Sequence, residues 1–111
     1  MNHEKLLRQL VEIPSYSGEE AEIRNFIKDW FEEKGIDAFV QDENLVVHFR
    51  GKDKARAFLF NSHMDTVVAG DGWNTDPFSL VKKGEKVFGL GASDMKSGIV
   101  ANNSFFSKIG L

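Results

Sequence analysis

No cysteine occurs among the 111 residues, which excludes disulfides and thiolate metal ligands. That absence suits a reducing, cytoplasmic setting. An excess of charge is also missing. The net charge is −3 and the pI is about 5.6. No basic stripe runs along the chain, so no nucleic-acid partner is expected. No apolar run approaches the roughly 20 residues that span a bilayer. Met1-Asn2-His3-Glu4-Lys5 lacks the apolar core of a signal peptide, and no membrane partner is expected. Repeats, low-complexity stretches and internal linkers are absent. Neither Ser62 nor Ser93 has a histidine base at recognisable spacing, which argues against a serine hydrolase.

What is present suffices for one modest globular domain. Hydrophobic residues make up 41% and charged residues 28% of the chain, a balance that folds rather than stays disordered. Ten Phe and two Trp supply a large apolar payload for a packed core.

Leu6, Leu7, Leu10 and Val11 fall on one face of a helix over 3–12. Pro14 ends it, because the residue before proline avoids the α region. Ser17 followed by Glu20 reads as a capping box, and Ile23, Phe26, Ile27, Trp30 and Phe31 follow with helical spacing. A second helix is therefore expected over 18–34, stopped by Gly35. Residues 36–41 and 44–50 flank a turn and predict an antiparallel pair, with Leu45, Val47 and Phe49 on one face. The run 55–60 is apolar but for Arg56, as in an interior strand covered on both faces. A long loop follows from Thr66 to Pro77. Residues 78–81 and 87–88 suggest a further hairpin. Ile99, Phe106 and Ile109 line a possible last helix, weakened by Gly98, Asn102, Asn103 and Ser104. The order α-α-β-β-β-β-β-α predicts an α/β fold, a mixed sheet sandwiched by helices.

The chemistry concentrates at the ends of these elements. His63 and Asp65 are two residues apart, so an extended backbone turns both to one face. An imidazole that binds a metal usually needs a partner on its other nitrogen, often a carboxylate. A strand-end histidine beside a helix-capping aspartate would give the same three residues. Asp94 lies between Gly91 and Gly98, where glycines allow tight turns and close approach. It reads equally as an N-cap or as a carboxylate reaching a neighbouring strand end. Imidazole and carboxylate together suit zinc, with cobalt or manganese possible. Lys96 reads as a solvated lysine, His48 as a satisfied structural histidine and His3 as exposed. Trp73 and Phe78 read as closing a loop over the core.

Two blocks carry a resemblance. His63-Met64-Asp65-Thr66 with the following Asp71-Gly72-Trp73 and Asp76-Pro77-Phe78, and Gly91-Ala92-Ser93-Asp94-Met95-Lys96, resemble the acetylornithine deacetylase and succinyl-diaminopimelate desuccinylase family of zinc metallopeptidases and amidohydrolases. The Ile13-Pro14-Ser15 turn is similar to the family's opening. The resemblance implies that His63 binds one zinc and that Asp94 bridges two. Asp65 would be the catalytic aspartate that holds and tunes the His63 imidazole without ligating metal. It also implies a cis Asp94–Met95 peptide. The implied activity is hydrolysis of an amide bond in N-acyl amino acids or small peptides, with a glutamate as general base. Val68, Leu90 and Ser97 depart from common family residues at tolerable positions.

The family's Glu-Glu pair, its further ligands, and the lid domain that serves dimerisation do not occur in these residues. Residues 1–111 are thus expected to be the N-terminal part of a catalytic domain, truncated and inactive alone, whose parent enzyme forms a homodimer. The alternative is a non-catalytic module retained for binding or assembly.

Overall fold

The computed structural model describes residues 2–109. Helix α1 spans His3–Val11 and helix α2 spans Ala21–Glu32. Strands β1 (Ala38–Gln41) and β2 (Asn44–Val47) form one antiparallel hairpin, and β3 (Val81–Lys83) and β4 (Lys86–Phe88) another. Helix α3 runs over Ser97–Ile109. A parallel bridge joins Tyr16 to Thr66. The α/β class holds. Pairing is both antiparallel and parallel, carried in separate pieces.

The first third follows its pattern closely. The Asn2 side chain accepts from Lys5 N–H at 2.9 Å and caps α1. Leu6, Leu10, Ile23, Ile27 and Phe31 meet in one buried cluster, as the helical spacing requires. Gly35 takes the left-handed conformation, at φ 73°. It lets Ile36 N–H return to Phe31 O at 3.0 Å and close α2. Lys34 Nζ lies 3.7 Å from the centre of the Trp30 ring, a cation–π contact. The register Ala38↔Val47 and Val40↔Leu45 turns Leu45, Val47 and Phe49 toward the same core.

Several expectations need correction. Helix α2 starts at Ala21, not at residue 18, because the Ser17 hydroxyl is engaged elsewhere and Glu20 makes no cap bond. Residues 55–60 form no strand. Phe58 is 94% and Leu59 90% exposed, because no other strand among the described residues pairs with their backbone. Its start is bonded only locally, to Asp53 through Ala55 N–H and Arg56 Nε, and at its end the Phe60 ring meets that of Phe106 edge-on at 5.0 Å. Helix α3 buries Ile99 and Val100 but also Asn103, Ser104 and Ser107, whereas Ile109 is 55% exposed. The apolar residues of α3 do not share one stripe, so its small polar residues pack against α1 instead; His3 Nε2 lies 2.8 Å from Ser104 Oγ. His48 is exposed just beyond β2 and is not a buried, satisfied histidine.

The Trp73 ring is 38% exposed. With Asp71, Lys83 and Phe88 it lines an open hollow of about 410 Å³, so it does not close a loop over the core. Phe78 does pack inward, edge-on to Tyr16 at 6.0 Å.

Candidate metal centre

Residues 61–66 lie outside the helices and strands, and hydrogen bonds hold them from several sides. Thr66 N–H donates to Ser15 O at 2.8 Å and Ser17 N–H to Thr66 O at 3.1 Å, so the α1–α2 loop runs alongside. Ser15 Oγ donates to Met64 O at 2.9 Å. On the other side Asn102 Nδ2 reaches Ser62 Oγ at 2.7 Å. The backbone N–H of His63 meets the Met95 sulfur at 3.4 Å. The segment is thereby fixed against both loops that flank it.

The second block arrives through Gly91. Its φ is +77°, and a Cβ there would stand 2.5 Å from Thr66 Cγ2. Both the backbone angle and the approach demand glycine. Beyond it Ala92–Lys96 is bent, with non-helical angles at Asp94 and Met95, and the Asp94–Met95 peptide is cis. This turn swings the Asp94 carboxylate toward the 61–66 segment.

The structure therefore brings His63, Asp65 and Asp94 together. His63 Nε2 lies 2.8 Å from Asp94 Oδ1. On the other side of the ring Nδ1 lies 3.1 Å from the Asp65 backbone carbonyl and 3.2 Å from Asp65 Oδ1. Burial works against a charge on the His63 imidazole, but the bonds and charges of Asp94 and Asp65 outweigh it and raise the pKa above its ordinary value. The bond from the Ser17 hydroxyl is the main cause that lowers the Asp65 carboxyl. Partial burial opposes it, and the Asp65 amide and His63 reinforce it.

Lys96 reverses its expectation as a solvated lysine. It is 2% exposed, and Nζ donates to Leu10 O at 2.8 Å and Ile13 O at 3.0 Å. These carbonyls lie at and just beyond the end of α1, where acceptors lack intrahelical partners and a cation suits the dipole. Burial pushes the amine down to about 8. Lys96 thus ties the Asp94 turn to α1. Sequence reasoning missed it because its partners lie more than 80 positions away. Ser17 was also missed as a site residue, since its capping pattern supplied a local explanation.

Nitrogen and oxygen donors that share a zinc at roughly 2.0–2.2 Å each stand about 3.3–3.6 Å apart in tetrahedral geometry. His63 and Asp94 are closer than this in their direct hydrogen bond. Their side chains are 48% and 88% exposed, which leaves room to separate. The pair fits two positions of a metal's donor set. Among the described residues no group of three or more His, Cys, Asp or Glu is placed to hold an ion.

An imidazole facing one carboxylate offers two donors to a cation, and a second carboxylate behind the ring is the kind of partner that orients a ligating histidine. Comparison with known proteins points the same way. Residues 59–108, which contain all three side chains, match Peptidase family M20/M25/M40. The chain is 36% identical over 104 residues to a succinyl-diaminopimelate desuccinylase of Sulfurovum, covering 91% of this chain and 28% of that protein. It is 32% identical over 108 residues to the desuccinylase of Wolinella succinogenes, covering 95% of this chain and 29% of that protein. A shorter match to the Novosphingobium aromaticivorans desuccinylase is 44% identical over 59 residues, covering 53% of this chain and 16% of that protein. Over residues 59–108 the chain is thus similar to the M20/M25/M40 peptidase family. It spans less than a third of the length of these relatives.

Proposed function

We propose that these residues serve metal-dependent hydrolysis of an amide bond in an N-acyl amino acid or small peptide, as the N-terminal part of a larger catalytic domain. The observation that carries the reading is the meeting of His63 and Asp94, 31 positions apart, within 2.8 Å. Each comes from one of the two motif blocks. His63 Nε2 and Asp94 Oδ1 would hold the cation, zinc by donor type, with cobalt or manganese as substitutes. Asp94 would bridge to a second ion. A cation of this kind supplies Lewis acidity, which acidifies water and polarises a carbonyl.

The chain's own residues orient and tune. Asp65 holds the His63 ring from its Nδ1 side and supports positive charge there. Lys96 holds the turn that presents Asp94. No carboxylate in the cluster is free to act as general base, because Asp65 is engaged by Ser17 and His63. We assign the base and the remaining ligands to residues outside this chain. The names of the relatives make an N-succinyl amino acid such as succinyl-diaminopimelate the first substrate to try. A homodimeric parent enzyme and a cytoplasmic setting belong to the same proposal, the latter in keeping with the lack of cysteine. No described helix is long and apolar enough to cross a membrane.

The test is turnover of N-succinyl-diaminopimelate and N-acetyl-ornithine with added zinc or cobalt. The 111-residue chain alone is expected to be inactive, since a missing general base costs roughly 10²–10⁴-fold even before metal occupancy is lost. A longer protein carrying the family's further residues is expected to turn over, and to lose activity with His63→Ala or Asp94→Ala. Activity of that longer protein that survives His63→Ala would contradict the assignment.

A further inference from the structure

Ser17 stands where a capping box would use it, yet its hydroxyl turns away from the helix. Glu20 Oε1 accepts from Gly18 N–H at 2.8 Å, and α2 begins at Ala21 with no side-chain cap. Ser17 Oγ donates instead to Asp65 Oδ2 at 2.5 Å. The root of this side chain is fixed, because Ser17 N–H is bonded to Thr66 O at 3.1 Å. Asp65 Oδ1, the other oxygen, lies 3.2 Å from His63 Nδ1. A carboxylate that is one-third exposed rotates readily unless something holds it. A donor clamped on Oδ2 leaves Oδ1 turned to the ring.

We propose that Ser17 is a positioning residue for the candidate metal centre: it fixes Asp65 so that Oδ1 accepts from His63 Nδ1–H, leaving the Nε2 lone pair for a cation shared with Asp94. This rests on the metal reading of His63 and Asp94 given above. The order Ser17–Asp65–His63 is a chain of hydrogen bonds that sets the tautomer of a ligand from two residues behind it. Partners at that remove hold a ligating imidazole in orientation, and their loss typically weakens metal binding 10–100-fold. On the Nδ1 side stand two acceptors, the Asp65 backbone carbonyl and Oδ1. On the Nε2 side stands the more exposed Asp94 carboxylate. Removing Ser17 frees Oδ1 and shifts this balance toward Nε2–H.

The same loop contains a control. Ser15 Oγ bonds Met64 O at 2.9 Å and anchors the loop without touching Asp65. The experiment uses the full chain as wild type, Ser17→Ala, Ser17→Thr and Ser15→Ala. It reads the His63 tautomer by long-range ¹⁵N NMR above the titration of the ring, and zinc affinity by competition with a chromophoric chelator. Thermal melts verify that each variant is folded.

The neutral wild-type ring is expected to be mainly Nδ1–H. Ser17→Ala should lower that share and weaken zinc roughly 10-fold, and Ser17→Thr should restore both. Ser15→Ala should lower the melting temperature and leave both readouts in place. A Ser17→Ala protein with wild-type tautomer and affinity overturns the proposal. So does a Ser15→Ala protein that matches Ser17→Ala, since loop anchoring would then explain the effect. If wild type binds no zinc, the metal reading fails by itself, and the tautomer shift still decides the role of Ser17.

Discussion

Residues 55–60 and 61–66 are adjacent and both lie outside the helices and strands, and they have opposite fates. The first run is the more apolar, yet Phe58 and Leu59 are almost fully exposed. The second is polar, yet Thr66 is 5% exposed and the segment is bonded to the α1–α2 loop, to Met95 and to Asn102. An apolar pattern states a preference for burial, whereas ordering needs partners. Asn61–Thr66 finds its partners within this chain. Ala55–Phe60 has local bonds to Asp53 at its start and a distant partner at Phe60.

The largest break in that contrast should come from Gly91. Gly91→Ala places a methyl 2.5 Å from Thr66 Cγ2 at a φ of +77°. Left-handed strain of roughly 1–2 kcal/mol and overpacking of roughly 1–3 kcal/mol add to about 2–5 kcal/mol. Chemical denaturation should show that loss, together with weaker zinc binding. Unchanged stability would mean that the two motif blocks do not pack as closely as described.

Next in size is Lys96→Met, which leaves the Leu10 and Ile13 carbonyls without their buried donor. The expected cost at neutral pH is about 1–3 kcal/mol. A pH signature accompanies it. Burial holds the folded amine at about 8 against an ordinary 10.5. Between these values the unfolded chain binds the proton and the folded chain does not, so stability from this group rises with pH across that window. Below it both forms are protonated and no slope arises. The wild-type advantage over Lys96→Met should therefore widen from pH 8 toward 10.5. A flat difference would show that Lys96 is solvated after all.

Leu59→Lys is the smallest and sharpens the contrast from the other side. Leu59 is 90% exposed, so stability should change by no more than about 0.5 kcal/mol. Exposed apolar clusters drive association, so sedimentation should show self-association of wild type reduced in the variant. A loss of several kcal/mol would mean that 55–60 is packed as an interior strand.

The parts of the fold legible in the sequence are those whose partners lie nearby. The α1 face, the α2 face and the β1–β2 hairpin are local patterns, and their apolar residues meet each other in the core. The meeting of His63 and Asp94 was legible only because the two motif blocks resemble a family in which they act together; composition and spacing left each with a bland reading. Lys96 and Ser17 were illegible in their true roles. Each had a sufficient local explanation, solvation for one and capping for the other. A partner dozens of residues away, Leu10 or Asp65, overrode it. The 55–60 run shows the converse case, a correct apolar pattern with no neighbouring strand among the described residues to pair it.

If His63 and Asp94 form one cation site, zinc binding to the folded chain depends on both. Competition titration of wild type, His63→Ala, Asp94→Ala and the double variant gives a coupling energy free of any assumption about turnover. Either single substitution is expected to remove most of the affinity, and the double variant to lose little more. Two independent, additive losses, or binding that persists in His63→Ala, would contradict a shared site.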